Sequence, residues 1–264
     1  MLIDRPSPGR IARVDNDTIR TMSLFNCPLS AAKADQLIAI LGLAENSRVF
    51  DAGCGTGEFL IRAVDASGGI GLGIDLDQKS IDLAQENASQ RIDRGTCEFR
   101  LGDMQNPAID DLKFDVAICI GSTHAFGIGA QAYPNALSAL SKFLRPGGLM
   151  LIGEGYWKQP PAAEYLQFLG EPAGVYRDHA ENIAFAEARG FLPVYAAVSS
   201  DDEWDQFEWS HYYRAVQRAE ACVDASDIAK GLERSIAWRN GYLNWGRTTM
   251  GFGFYMFRTP AKTD

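Results

Sequence analysis

A short apolar run that ends in an acid and a glycine-rich loop is the feature that most constrains the fold of this chain. In VFDAGCGTGEFL, residues 49–60, a strand predicted at Val49–Asp51 is followed by Gly53, Gly55 and Gly57 and then by a helix predicted at Glu58–Val64. Alternating glycines permit positive φ angles and allow a ligand to lie against bare backbone. The first turn of the helix also offers unpaired N–H groups. The stretch therefore predicts a strand, a ligand-binding loop and a helix.

The same alternation of strands and helices continues along the chain. Further predicted strands are Ile70–Leu76, Cys97–Leu101, Phe114–Ile120, Leu149–Ile152, Phe191–Val198 and Gly251–Arg258. Predicted helices are Ser30–Leu43, Lys79–Ala88, Tyr133–Leu144, Pro161–Leu169, His179–Ala188, Asp202–Ala221 and Ser226–Asn240, with the RPGG at 145–148 ending the third of these. Such alternation favours an open, mostly parallel sheet with helices on both faces. The last two strands are expected to pair, separated in sequence by a helical insertion that covers the sheet edge.

Composition limits the classes of function. A length of 264 residues suits one large domain, and the net charge of −9 disfavours a nucleic-acid substrate, because affinity for phosphates comes mainly from Lys and Arg. The five cysteines form no CxxC pair, which argues against a disulfide framework or a zinc site. The chain has no apolar segment of the length of a signal peptide or membrane span, so we expect a cytoplasmic protein. The end of the fourth strand offers Ser122, Thr123 and His124 rather than a carboxylate cluster, so we expect no metal.

The spacing of the glycines distinguishes between two classes of ligand. Dinucleotide loops usually read GxGxxG, whereas this loop reads DxGxGxG, which favours S-adenosyl-L-methionine. Asp75 lies 22 residues after Gly53, where an acid can accept hydrogen bonds from both ribose hydroxyls, although this position alone would also suit NAD. Asp103 follows the third strand and is placed to accept from an adenine amino group, with Met104 beside the ring. Taken singly, Asp75 could cap the next helix and Asp103 could be a turn acid.

The successive motifs VFDAGCGTG, GIDLD, LGDM, FDVAICIG and LRPGGLMLIGE resemble those of class I S-adenosylmethionine-dependent methyltransferases over roughly residues 30–155. The resemblance implies a Rossmann-like, doubly wound sheet of seven strands with an antiparallel last strand. It also implies a single domain over 1–264, with a cofactor-binding core at 30–155 and substrate-side cap segments at 1–29, 156–190 and 201–247. GEGYW after the fifth strand resembles a bacterial branch that acts on small molecules and whose substrates are generally unassigned.

The resemblance also assigns roles to individual residues. Asp51 and the glycine loop lie near the methionine moiety, and Asp75 lies on the ribose. Asp103 and Met104 lie around the adenine. The predicted cofactor contacts are Asp51, Gly53, Gly55, Gly57, Asp75, Leu76, Asp103, Met104, Ile120 and Gly121.

The residues that would receive the methyl acceptor are expected at the carboxyl ends of the fourth and fifth strands. His124 follows the fourth strand and could take a proton from an attacking hydroxyl, thiol or amine, or could only pack or hydrogen-bond. Glu154, Tyr156 and Trp157 leave the fifth strand toward the same edge, where they could bind a cationic or aromatic acceptor or serve as a loop acid and helix anchors. The predicted catalytic residues are His124, Glu154 and Tyr156.

Aromatic side chains are concentrated in the late helical insertion. Helical spacing places Trp204 and Phe207 with His211 on one side of a helix, and Trp209, Tyr212, Tyr213 and Val216 on another. Two apolar stripes suggest packing on one side and a pocket or partner on the other, since a surface helix needs only one. Phe25, Tyr242 and Trp245 are further candidates for the lining of an acceptor cavity.

These observations predict in-line methyl transfer to a small-molecule oxygen, nitrogen or sulfur nucleophile, in which the protein supplies alignment and a dry site. An NPPY-like motif after the fourth strand, as in adenine-amino methyltransferases, does not occur. One alternative is an NAD(P)-dependent oxidoreductase on a related fold, which the loop spacing opposes. The other is a module that binds the cofactor without turnover, for which we expect a pocket with no room beside the methyl group.

Overall fold

The computed structural model of the protein describes residues 24–107, 109, 113–221 and 226–260. Its seven strands are β1 (Arg48–Ala52), β2 (Ile70–Asp75), β3 (Thr96–Leu101), β4 (Phe114–Ile120), β5 (Leu144–Trp157), β6 (Leu192–Val198) and β7 (Met250–Arg258). The main helices are α1 (Ala31–Leu41), α2 (Glu58–Ser67), α3 (Gln78–Arg91), α4 (Ala132–Phe143), α5 (Ala163–Leu169), α6 (His179–Glu187), α7 (Asp201–Ala221) and α8 (Ser226–Gly241). After α8 come a π-helical turn at Tyr242–Gly246 and a short helix at Arg247–Thr249.

All seven strands belong to one sheet with the order β3-β2-β1-β4-β5-β7-β6. Strands β1 to β5 pair in parallel, and β7 lies antiparallel between β5 and β6. The insertion of α7 and α8 between the last two strands is present as the sequence predicts. The predicted doubly wound sheet with an antiparallel last strand is therefore confirmed.

The fifth strand is longer at both ends than its predicted range, Leu149–Ile152. Leu144 already pairs with Phe114, and the register then shifts so that Leu149 pairs with Val116. The RPGG at 145–148 therefore forms an irregularity within the strand, with Gly147 at a φ of 74°, rather than the end of a helix alone. At the other end, β5 continues to Trp157 because β7 pairs with it as far as Met250. This extension keeps Glu154 within the sheet.

Apolar side chains fill both faces of the sheet. Val49 belongs to the core on the side of α1 and α2, whereas the next residue, Phe50, belongs to the core on the side of α4. Both side chains are fully buried, as expected for a parallel strand covered on both faces. The core thereby fixes β1 and the loop that follows it.

Two glycines of β7 make room for tyrosine side chains. A Cβ at Gly251 would lie 2.2 Å from Cζ of Tyr156, and a Cβ at Gly253 would lie 2.3 Å from the hydroxyl oxygen of Tyr255. Both distances are far below ordinary van der Waals contact. The alternating glycines therefore allow both tyrosine side chains to lie against the backbone of β7.

Some sequence predictions fall outside the described residues, namely the first 23 residues of the predicted cap segment 1–29 and Cys222. Within the described part of the chain, Cys27, Cys54, Cys97 and Cys119 are free thiols. No described helix combines the length and the apolar character needed to cross a membrane. No cluster of three or more His, Cys, Asp or Glu residues suited to a metal ion occurs in the described ranges.

Candidate active site

A cavity of about 630 Å³ lies at the carboxyl ends of β1, β2 and β4, within the size range of small-molecule sites. In open α/β sheets this edge is where ligands bind, at the point where the strand order reverses. All the predicted cofactor contacts except one line it: Asp51, Gly53, Gly55, Asp75, Leu76, Asp103, Met104, Ile120 and Gly121. Gly57 is not among the lining residues. The sequence motifs therefore converge on one cavity.

The three loop glycines all have positive φ angles but differ in their surroundings. Gly53 lies against Ser122, where a Cβ would come within 2.4 Å of the serine Cβ, and Gly57 lies against the ring of Phe99 at 2.7 Å. A Cβ on Gly55 would meet no described atom within 4 Å. Gly53 and Gly57 are thus required for packing, whereas Gly55 presents open backbone to the cavity.

The Asp75 carboxylate holds this loop in place. Its Oδ2 accepts a hydrogen bond from the Gly55 N–H at 2.8 Å, and its Oδ1 accepts one from the Asp77 N–H at 3.0 Å. Asp75 does not cap the following helix, because Asp77 does so by accepting from the Ser80 N–H at 3.0 Å. The side chain that lines the cavity at the end of β2 therefore also stabilises the glycine loop.

Asp51 is a buried carboxyl group in the wall of the same cavity, only 4% exposed. Burial, reinforced by the negative charge of Asp75, raises the pKa of Asp51 to about 7. The side-chain hydrogen bonds of the described residues do not include one to its carboxylate. A cationic group bound beside it would favour the ionised form of the carboxyl group.

The far end of the cavity contains the residues predicted around an adenine. Met104 is buried, Leu76 is 64% exposed, and Asp103 is exposed with its Oδ1 accepting from the Gln105 N–H at 2.9 Å. Asp103 is therefore a turn acid, which is one of the two roles predicted for it, and it also lines the cavity. An apolar edge beside a hydrogen-bond acceptor suits a purine base.

Several lining residues escaped the sequence reasoning. Ser80 follows the motif GIDLD closely, and Gln105 follows LGDM directly. Their positions just after strands that end at the cavity could have predicted that they line it. Asn26 precedes α1, and Arg214 lies on the helical insertion α7. No local pattern connects Asn26 or Arg214 with the glycine loop, because the tertiary fold alone brings them to this edge.

A second cavity of about 270 Å³ adjoins the first, and we call it the acceptor cavity because His124 and Glu154, both predicted beside a methyl acceptor, line it. The two share four lining residues: Asn26, Cys27, Gly121 and His124. His124 is exposed and lies in a short 3₁₀ helix, Thr123–Phe126, directly after β4. The predicted proton acceptor is therefore placed at the boundary between the two cavities.

Glu154 lines the acceptor cavity and is 9% exposed. Its Oε2 accepts from the Thr123 hydroxyl at 2.5 Å and its Oε1 from the Gly155 N–H at 3.0 Å. Burial raises the pKa of Glu154 to about 7, opposed by these two hydrogen bonds and by the charge of Arg177. At neutral pH, the protonated and the ionised form of the Glu154 carboxyl group are therefore both populated.

Tyr156, the third predicted catalytic residue, occupies a different environment. Its ring packs against His179, with centroids 5.3 Å apart, and lies beside Gly251. It does not line either of the two cavities. The structure therefore brings His124 and Glu154 to one cavity and places Tyr156 outside it.

The raised pKa of Glu154 predicts a pH-dependent stability. The native state holds this proton more tightly than the unfolded chain, so the free energy of unfolding should fall as the pH rises from about 4.5 to about 7. Glu154→Gln keeps an acceptor for Thr123 but cannot ionise. We expect the variant to gain roughly 2–3 kcal/mol relative to the wild type between pH 5 and pH 8.

Urea unfolding of both proteins at the two pH values measures this difference. Glu187→Gln is a matched control, because Glu187 is exposed at the end of α6. If the free energies of unfolding of Glu154→Gln and the wild type differed by the same amount at pH 5 and pH 8, the result would contradict the raised pKa of Glu154.

Comparison with known proteins adds to this geometry. A family model described as a methyltransferase domain matches residues 49–148. A solved S-adenosylmethionine-dependent methyltransferase from Geobacter sulfurreducens, in complex with S-adenosyl-L-homocysteine, is 28% identical with a TM-score of 0.80, and the match covers 90% of this chain and 95% of that one. These findings show a methyltransferase domain with the class I S-adenosylmethionine-dependent methyltransferase fold. S-adenosyl-L-methionine is accordingly the cofactor of this methyltransferase.

Two curated relatives of this methyltransferase are informative. The uncharacterized protein YjhP of Escherichia coli K12 is 29% identical over 244 residues, covering 86% of this chain and 91% of the relative. The 27-O-demethylrifamycin SV methyltransferase of Amycolatopsis mediterranei is 28% identical over 128 residues, covering 48% of this chain and 46% of that enzyme. The first likeness extends over nearly the whole chain, whereas the second spans about half of each protein.

The residues around the larger cavity fit the cofactor. The methionine part carries an ammonium and a sulfonium group, both cationic, and the cavity wall contains the buried carboxyl of Asp51 beside open backbone at Gly55. The adenosine part needs hydrogen-bond acceptors and an apolar surface, which Asp75, Asp103 and Met104 offer. The chemistry of the available groups therefore agrees with the family assignment.

Proposed function

We propose that this methyltransferase methylates an oxygen, nitrogen or sulfur nucleophile of a small molecule bound in the acceptor cavity. The observation that carries the proposal is the common wall of the two cavities, formed by Asn26, Cys27, Gly121 and His124. A module that binds the cofactor without turnover would have no need of a second cavity there. Two adjoining cavities are what a two-substrate reaction requires.

The small size of the acceptor is supported by two observations. The chain carries a net charge of −9, which repels a phosphate backbone. The relative from Amycolatopsis mediterranei acts, by its name, on a rifamycin, which is a small molecule. We therefore infer a small-molecule acceptor rather than a nucleic acid.

We propose the following cofactor contacts. Asp51 and the loop at Gly53–Gly57 hold the methionine part, with Asp51 countering its positive charge. Asp75 accepts from the ribose hydroxyls. Leu76, Asp103 and Met104 surround the adenine, while Ile120 and Gly121 border the side that faces the acceptor cavity.

When bound, S-adenosyl-L-methionine would supply the methyl carbon, and its sulfur would keep the electron pair of the broken bond, which gives S-adenosyl-L-homocysteine. The protein's own residues align the acceptor and accept its proton. His124, at the boundary of the two cavities, takes the proton from a hydroxyl nucleophile. Glu154, held by Thr123, anchors a polar group of the acceptor. The walls of both cavities restrict water, which strengthens these interactions.

Turnover is tested with labelled cofactor and a panel of phenols, amines and thiols, following formation of S-adenosyl-L-homocysteine. We expect micromolar binding of S-adenosyl-L-homocysteine, no comparable binding of NADH, and acceptor-dependent product in at least one class. Binding without product from any class, and without any effect of the acceptors on cofactor affinity, would instead identify a module that binds without turnover.

A further inference from the structure

A third cavity, which we call the aromatic chamber, lies among α5, α7 and the chain from α8 to β7. Its volume is about 280 Å³. Its ring side chains are Tyr165, Phe168, Tyr176, Trp204, Phe207, Trp238 and Tyr242. It shares Tyr176, Trp204, Phe207, Met250 and Glu171 with the acceptor cavity. The two cavities therefore meet along a largely aromatic wall.

The rings of the aromatic chamber are held in defined positions. Trp204 and Tyr242 stack with their centroids 6.4 Å apart, and the Tyr242 hydroxyl donates to Asp205 at 2.6 Å. Phe168 packs against Trp238, with centroids 5.7 Å apart, and lies where a Cβ on Gly241 would be 2.4 Å from its ring. These contacts fix the ring faces around the space before any ligand arrives.

Two carboxyl groups line the chamber. That of Glu171 is exposed, whereas that of Glu208, on α7, lies among the rings. It is 8% exposed, and its Oε2 accepts a hydrogen bond from the Trp238 indole N–H at 2.8 Å. Burial raises the pKa of Glu208 to about 7, opposed only by that hydrogen bond. Among the ion pairs of the described residues, none includes Glu208.

Two arginines of the same helical region have other partners. Arg239 lies over the ring of Tyr212 at 4.5 Å, and Arg247 pairs with Asp205 and Asp201. A buried carboxyl group without a cationic partner is costly in its ionised form. A ligand cation would favour the ionised form of the Glu208 carboxyl group and pair with it. The faces of the surrounding rings would attract the same positive charge.

We propose that the aromatic chamber binds a cationic amine of the methyl acceptor, paired with Glu208 and enclosed by Trp204, Trp238 and Tyr242. The nucleophile of the same molecule then lies in the acceptor cavity beside His124. This proposal rests on the proposed function, because it names the class of acceptor: an elongated amine or quaternary ammonium compound whose reacting group is remote from its charge.

The test uses two probes of equal shape, choline and its uncharged isostere 3,3-dimethylbutan-1-ol. Their binding is followed by calorimetry and by tryptophan fluorescence, to which Trp204 and Trp238 in the wall of the chamber contribute. We expect choline to bind the wild-type protein at least about tenfold more tightly than the isostere. Glu208→Gln keeps an acceptor for Trp238 but removes the charge, so this preference should disappear.

Glu187→Gln is the control for a surface charge and should keep the preference. Thermal unfolding of all three proteins shows whether Glu208→Gln folds normally. A second variant, Trp238→Phe, removes the indole donor and should also weaken choline binding. Equal binding of the two probes, no binding of choline, or a preference retained in Glu208→Gln would overturn the proposal.

The outcomes separate this proposal from the proposed function. One outcome is that choline binds more tightly than its isostere in a Glu208-dependent way, but no acceptor is methylated. This outcome would support the cationic site and overturn the proposed methyl transfer. Methyl transfer to a cationic acceptor with the same kcat and KM in the wild type and Glu208→Gln would overturn the cationic site alone.

Discussion

Asp75→Ala is expected to weaken binding of S-adenosyl-L-homocysteine by about 100-fold, because the substitution removes two kinds of contact at once. The carboxylate accepts from the Gly55 N–H at 2.8 Å and thereby holds the loop that lines the cofactor cavity. In the proposed complex it also accepts from the ribose hydroxyls. Hydrogen bonds to charged groups contribute about 1.5–3 kcal/mol each, and a factor of 100 corresponds to roughly 2.7 kcal/mol.

Isothermal titration with S-adenosyl-L-homocysteine measures this loss, and thermal unfolding without ligand shows how much the loop alone contributes to stability. Asp82→Ala is a matched control, since Asp82 is exposed on α3 and accepts only from the side chain of Gln78. Unchanged affinity in Asp75→Ala would remove Asp75 from the cofactor contacts.

His124→Ala is expected to lower kcat on a hydroxyl acceptor by roughly 10²- to 10⁴-fold, the usual contribution of a positioned proton acceptor. The affinity for S-adenosyl-L-homocysteine should change only a few-fold, because His124 lies where the cofactor cavity meets the acceptor cavity. Steady-state kinetics and calorimetry on the same preparation measure the two quantities.

A thiol acceptor provides the control within the same variant, because a thiolate needs little help from a base. If His124→Ala retains full kcat on the hydroxyl acceptor while Glu154→Gln loses it, the proton goes to the buried carboxyl group instead. Loss of kcat on both acceptor types in His124→Ala would indicate a positioning effect rather than proton transfer.

The cofactor side of the molecule is predictable from sequence because its signals are local. Asp75 ends a strand, and the glycines and Asp103 follow one closely, while parallel strands bring their carboxyl ends to one edge. The carboxyl end of β5 lies beyond its predicted bound because that extension depends on pairing with β7, about a hundred residues later. The same pairing keeps Glu154 in the sheet, where the sequence indicated a loop.

The acceptor side is less predictable because it depends on contacts between distant helices. Sequence spacing grouped Trp204 with Phe207, and both line the acceptor cavity and the aromatic chamber. It could not place Glu208 among rings contributed by α5 and the chain after α8. Nor could it show that Trp209 would be 40% exposed, packed against Tyr212.

The connections of the helical insertion have a consequence for how this enzyme can change. Val198, before the insertion, pairs with Gly253, and Met250, after it, pairs with Trp157. Sequence changes between these anchors alter the walls around the acceptor without shifting the register of the strands that carry the glycine loop. Trp204, Glu208 and Trp238 of the aromatic chamber lie between these anchors, whereas the glycine loop lies outside them. Acceptor preference can therefore diverge among related proteins through the insertion while the glycine loop keeps its position.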